Sequence, residues 1–322
     1  MEFQLIERFR THALAKRDDV VLGIGDDAAI VGMPYGHELV MSLDTLVEGT
    51  HFLPGTAPLD LGWKALAVNL SDLAAMGAEP AWAMLALTLP RADAEVVDGI
   101  AAGFVRMAER YRLALVGGDT TMGPLCLSVA IHGLVPMGQA LTRHGAQPGD
   151  EVLVTGTLGD AMAGLYALRE CPRDDAHHAV LRQSLVERLT RPEPRVAAGI
   201  ALRGLASACV DVSDGLLGDL GHLCQRSGVG AVLQGTQLPC SPALRALHNE
   251  EEVWQWALAG GDDYELCFTV APAHMAQVED ALAAVSCPCT RVGHIVRGEG
   301  VQVYGADGRA LATPAKGWEH FA

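Results

Sequence analysis

Residues 60–89 read DLGWKALAVNLSDLAAMGAEPAWAMLALTL, and two different periods follow one another there. From Asp60 to Met76, Leu61, Ala65, Leu66, Leu70 and Leu73 recur at three- to four-residue steps. That spacing predicts a helix, with Gly77 placed to cap its end. Ala81–Leu89 is an almost unbroken apolar run closed by Pro90, which predicts a buried strand. Outward from this core the alternation continues. Helical spacing returns over Ala94–Tyr111, and strands are expected at Glu38–Leu43, Leu113–Val116 and Leu125–Val135. Phe3, Ile6, Phe9 and Ala13 predict an amphipathic helix over Glu2–Lys16.

Between Pro136 and Asp150 the composition turns to Gly, Pro and polar residues, marking a boundary between domains. The expected division is 1–137, a linker 138–149, and 150–322. Beyond it, Glu151–Thr155, Ala208–Val212 and Leu266–Val270 read as strands, and Leu216–Gln225 as a helix. Residues 170–195 are polar and proline-bearing and read as a surface excursion. Strands and helices interleave in both halves, so the expected fold class is α/β (α+β) in two domains.

At 322 residues the chain can bury two cores. Half its residues are hydrophobic and 36 are glycine, the composition of a compact globule. The formal charge of −16 excludes a cationic footprint for nucleic acid. It leaves nucleotides open, because bound cations invert the local sign. The eight cysteines sit mostly in apolar segments, and Cys287-Pro288-Cys289 lacks a second pair for a zinc site. No apolar run approaches the ~18 residues of a membrane span. The first residues lack a basic, apolar leader, so a cytoplasmic protein with no membrane partner is expected.

Five apolar runs end in an acid: Gly23-Ile24-Gly25-Asp26-Asp27, Ser42-Leu43-Asp44, Asn69-Leu70-Ser71-Asp72, Gly117-Gly118-Asp119 and Asp211-Val212-Ser213-Asp214. Carboxylates drawn from water need compensating cations, and oxygen-only donors select hard divalent ions such as Mg2+. Gly23-Ile24-Gly25 lacks the third glycine of a dinucleotide loop, and the acids after it would repel a pyrophosphate. Two like charges ~4 Å apart cost about 4 kcal/mol at an effective dielectric near 20. Asp27 is therefore either a metal ligand or a solvated turn acid. Asp72 lies inside an apolar helix with Asn69 on the same face, as a ligand or an internal hydrogen-bond partner. Gly117-Gly118 lets backbone approach a phosphate closely, although turns favour the same residue types. Asp211 and Ser213, two apart on a strand, share a face. Gly260-Gly261-Asp262 repeats the Gly-Gly-acid unit. Arg143 is either a phosphate-reaching cation or an ordinary surface arginine, and His51 a substrate contact or a simple polar side chain. Trp318 either stacks on a ligand or pins the tail. A P-loop, a protein-kinase catalytic loop and a G-x-S-x-G elbow are all absent.

In this order, Gly23–Ala29, Ser42–Phe52, Ala67–Pro80, Gly117–Pro124, Asp211–Leu220 and Gly260–Leu266 resemble the thiamine-monophosphate kinases. That family shares a superfamily with aminoimidazole ribonucleotide synthetase, selenophosphate synthetase and the hydrogenase-maturation dehydratase. The resemblance covers almost the whole chain. It implies an amino-terminal domain that forms a homodimer, an α/β carboxy-terminal domain, and a cleft between them holding ATP and several Mg2+ ions. It also implies Asp27, Ser42, Asp44, Asp72, Asp119, Asp211 and Asp214 as Mg2+ ligands. Gly117, Gly118, Arg143 and Ser213 would contact ATP, and His51, Asp262 and Trp318 the thiamine monophosphate. Asp262 stands where the family commonly has Glu, and Ala101 where some members carry an aromatic.

The implied reaction moves the ATP γ-phosphoryl group onto thiamine monophosphate, giving thiamine diphosphate and ADP. The alternatives are a synthetase of the same superfamily, which activates an amide oxygen, and a nucleotide sensor without turnover. The hydrogenase-maturation role is not expected with the ending His320-Phe321-Ala322. The selenophosphate role is not expected either, because the first cysteine is Cys126.

Overall fold

The structure, a computed structural model, describes residues 8, 9, 17–170, 176–311 and 317. They form two compact units, one reaching to Leu73 and resuming over Ala78–Gly138, the other holding Ala74–Gly77 and the chain from Gln139 onward. The expected helix over Glu2–Lys16 lies outside the described residues except for Arg8 and Phe9, which are helical.

The first unit contains β1 (Val20–Leu22), β2 (Ile30–Val31), β3 (His37–Val47), α1 (Pro58–Ala75), β4 (Glu79–Leu89), α2 (Ala94–Arg110), β5 (Ala114–Met122) and β6 (Cys126–Pro136). β1 and β2 form a small antiparallel ribbon, and the others a four-stranded sheet of order β3-β6-β4-β5. Its β4–β5 pair is parallel, so the sheet is mixed. Leu66, Leu70 and Leu73 of α1 are fully buried, as their spacing predicts, and so are Ile100 and Met107 of α2. Each such side chain contributes about 1.5–3 kcal/mol by leaving water. The two helices touch backbone to backbone: a Cβ on Gly62 would lie 1.9 Å from the Ile100 carbonyl oxygen, and one on Gly103 equally close to that of Leu59.

Register fixes the two faces of this sheet. Ser42, Asp44 and Leu46 of β3 sit opposite Ile131, Val129 and Leu127 of β6, which are completely buried. Met41 and Leu43 sit opposite His132 and Ala130 on the other face, where they are 66% and 64% exposed. One face is thus a core, and the other is apolar yet open.

The second unit contains β7 (Glu151–Thr155), α3 (Asp160–Glu170), α4 (Ala176–Thr190), α5 (Val196–Ala201), β8 (Ala206–Val212), α6 (Leu216–Ser227), β9 (Gly230–Gln234), α7 (Pro242–Leu247), α8 (Glu250–Ala259), β10 (Glu265–Val270), α9 (Met275–Ala284), β11 (Cys289–Val296) and β12 (Gly300–Tyr304). Its six-stranded sheet has the order β12-β9-β11-β7-β10-β8, antiparallel except for β9–β12. The expected fold class, mixed α/β, is the observed one. Three local expectations differ. The strand expected over Glu38–Leu43 continues through Asp44 to Val47, and the surface excursion expected over 170–195 includes the helix α4. The strand expected to end before Gly117 continues to Met122, with Gly117-Gly118-Asp119 paired to Met84-Leu85-Ala86.

Candidate active site

In the first unit a cavity of about 1090 Å³ lies against the open face of the sheet. Asp26 and Asp27, from the loop joining β1 to β2, line it together with Gly117, Gly118, Asp119 and Thr120 of β5. Asp26 Oδ1 accepts the Asp27 N–H at 2.8 Å, which bends the loop. Gly118 has φ +154°, and a Cβ there would stand 1.9 Å from the Leu85 carbonyl oxygen. Gly117 by contrast would meet only Met84 at ordinary distance, 3.7 Å. The diglycine is therefore needed for strand packing at its second position, while its first has room for a side chain, and both positions line the cavity. Gly118→Ala is expected to lower stability by about 2–4 kcal/mol through backbone displacement and strain. Urea unfolding of the two proteins measures this, and an unchanged midpoint would refute the close approach.

Ser42, Asp44 and Asp72 lie on the core-facing side. The Ser42 hydroxyl donates to Asp72 Oδ2. Asn69, 1% exposed, accepts the Asp44 N–H at 3.1 Å and donates to the Ala65 carbonyl at 2.9 Å, tying β3 to α1. His51 closes the turn after β3: its Nδ1 accepts the Val47 N–H at 3.0 Å, which sets the neutral ring's proton on Nε2.

In the second unit the strand end and two turns interlock. Asp211 is the penultimate residue of β8 and is 3% exposed. The Asp262 N–H donates to the Ser213 carbonyl, and the Tyr264 N–H to the Val212 carbonyl, both at 2.8 Å. Asp219 of α6 reaches back so that its Oδ2 accepts the N–H groups of Ser213 at 3.1 Å and Asp214 at 3.0 Å. Burial pushes the Asp219 carboxyl up to about 7, against those two hydrogen bonds and the nearby positive charge of Arg143. Gly317 passes close to the Asp214 backbone, where a Cβ would lie 1.8 Å from its carbonyl oxygen. Asp211, Ser213, Asp214, Asp262 and Arg143 are thus gathered on one part of this unit. Trp318 lies outside the described residues.

Beneath this part runs a buried polar network. Glu265, completely buried, accepts from Thr155 Oγ1 at 2.7 Å, from Arg188 at 2.8 Å and from two nitrogens of Arg195, each at 2.6 Å. Asp263 accepts the Gly159 N–H at 2.7 Å and the Ala161 N–H at 3.3 Å, at the start of α3. Asp219, Asp263 and Glu265 were not singled out in the sequence. An acid inside an apolar helix marked Asp72, and Asp219 among Leu216, Leu217 and Leu220 carries the same mark.

Among the described residues, no three His, Cys, Asp or Glu side chains form a metal-holding group. The donor chemistry still fits hard cations. Every implied ligand offers oxygen, and Asp27 and Asp119 share a cavity wall without a protein hydrogen bond or ion pair to either carboxylate among the described residues.

Residues 25–135 match the family described as AIR synthase related protein, N-terminal domain, and residues 147–306 the corresponding C-terminal domain. The chain is 46% identical over 321 residues to the thiamine-monophosphate kinase of Escherichia coli (strain K12), covering 100% of this chain and 98% of that one. The crystal structure of thiamine-monophosphate kinase from Stenotrophomonas maltophilia K279a matches with a TM-score of 0.88 at 48% identity, covering 96% of this chain and 98% of the other. A structure described as AaThiL complexed with AMPPCP and TMP matches with a TM-score of 0.79 at 34% identity, covering 99% and 97%. With its whole length shared with these relatives, the chain belongs to the thiamine-monophosphate kinase family.

Proposed function

We propose that this chain transfers the γ-phosphoryl group of ATP to the phosphate of thiamine monophosphate, forming thiamine diphosphate and ADP. The observation that carries this reading is 46% identity over its full length to a thiamine-monophosphate kinase, together with a fold shared with a relative described as complexed with AMPPCP and TMP. The acceptor oxygen is already ionised, so the chain needs no strong general base. The difficulty is bringing two polyanions together. Asp27 and Asp119 on the cavity side, Asp44, Asp72 and the Ser42 hydroxyl on the covered side, and Asp211 and Asp214 of the second unit would hold Mg2+. When bound, Mg2+ supplies charge neutralisation and alignment of donor and acceptor oxygens. Gly117 and Gly118 line the cavity without side chains and would accommodate a phosphate at close range, and Arg143 adds a fixed positive charge. Ser213 is held by Asp219 to face ATP, while His51, Asp262 and Trp318 contact the thiamine moiety. Incubation with ATP, Mg2+ and thiamine monophosphate tests this reading. ADP and thiamine diphosphate should accumulate one for one, whereas heat of ATP binding without ADP would make the protein a sensor.

The same reading assigns 1–137 to metal, ATP and dimer contacts, 138–149 to a linker, and 150–322 to completion of the site. The apolar open face of the four-stranded sheet, with Leu39, Met41, Leu43 and Met84 exposed, suits a second copy of the chain, which would then wall the cavity that Leu39, Leu43 and Met84 also line. Met41→Asp with Leu43→Asp should turn a dimer into a folded monomer in sedimentation, and an unchanged dimer would exclude this face. No described helix is long and apolar enough to cross a membrane. The described cysteines are all free, which suits the reducing cytoplasm where ATP is supplied.

A further inference from the structure

Asp262 and Tyr264 both have positive φ, 68° and 52°, a region that residues with a Cβ seldom occupy. Such backbone persists only where its surroundings dictate it. Here they do so closely: both N–H groups are tied to the end of β8 at 2.8 Å, and the intervening Asp263 is buried as an acceptor for the start of α3. Held in this way, the Tyr264 ring is 8% exposed and its hydroxyl donates to Asp262 Oδ1 at 2.8 Å. A phenol can serve any nearby acceptor, but this one is spent on a carboxylate two residues away.

We propose that Tyr264 is a positioning residue that fixes the Asp262 carboxylate for thiamine monophosphate, whose aminopyrimidine ring bears N–H donors and whose thiazolium ring is cationic. The inference rests on the reading of Asp262 as a substrate contact and goes beyond it by naming what orients that contact. The Asp262 side chain turns about two bonds, so a substrate contact from it needs one rotamer held. A charge-assisted hydrogen bond from a buried phenol supplies that constraint.

Tyr264→Phe keeps every ring contact and deletes only the hydroxyl. It should raise KM for thiamine monophosphate roughly tenfold, the scale of one hydrogen bond to a charged group. KM for ATP and kcat should stay within about twofold, with the melting temperature nearly unchanged. A purely structural role would instead lower the melting temperature without moving KM for one substrate. Asp262→Ala should raise the same KM, and the double variant should be no worse than Asp262→Ala alone. If Asp262→Ala raises KM while Tyr264→Phe does not, or if the two effects add, the positioning role is overturned and the substrate contact stands. If Asp262→Ala itself leaves KM unchanged, the substrate contact falls and the inference falls with it.

Discussion

Asp72→Asn should fold normally and lose at least ~100-fold in turnover, the scale of one lost electrostatic contact in a preorganised site. The substitution is nearly isosteric and Asp72 is only half-buried, so α1 and its leucines keep their packing. The chemistry of the group changes entirely. A carboxylate beside the Ser42 hydroxyl offers anionic oxygen to a hard cation, whereas an amide offers one neutral oxygen and two donors. Circular dichroism and a melting curve establish the fold, and steady-state ADP release gives the rate. A folded variant with near-normal turnover removes Asp72 from the site.

Arg195→Ala acts on the second unit through stability. Burial alone would raise the pKa of Glu265, but the hydrogen bonds and charge of Arg195, then Arg188 and Thr155, outweigh it and leave the carboxyl below its ordinary value. Removing Arg195 strands much of a fully buried negative charge, at a cost of about 3–5 kcal/mol. The pH dependence has a definite sign. A carboxyl depressed in the folded state stabilises above its unfolded pKa of about 4.3, and that contribution is lost as pH falls toward the folded value. The stability gap between native protein and variant should be full at pH 7 and shrink below about pH 4. Equal urea midpoints at pH 7 would contradict the clamp.

The sequence was most legible where one period ran undisturbed. α1, α2 and β4 follow directly from leucine and alanine spacing, because burial on one face leaves a repeat. α4 was illegible because its inward side mixes Leu185 and Leu189 with Arg188, a charged residue made compatible with burial only by Glu265. That partner lies 77 positions away. β5 is longer than its pattern predicts because Gly117-Gly118 resembles a turn, while its pairing with β4 depends on backbone alone. The candidate acids are visible in the sequence as carboxylates closing apolar runs, although Asp44, Asp72 and Asp119 lie inside β3, α1 and β5. What could not be read was their distribution: strand alternation puts Ser42 and Asp44 on the covered face of the sheet, whereas Asp27 and Asp119 line the cavity on the open one. Asp219 and Tyr264 escaped notice because each acts on a neighbour's backbone or carboxylate, and that relation exists only after folding.

The proposed reaction is phosphoryl transfer between two anions, served by acidic side chains. ATP labelled in its γ-phosphate, mixed with excess enzyme, Mg2+ and thiamine monophosphate, tests it in a single turnover. The label should appear in thiamine diphosphate, and chelation of Mg2+ should abolish the transfer. Label recovered as inorganic phosphate, or retained in ATP while thiamine monophosphate is unchanged, would contradict it.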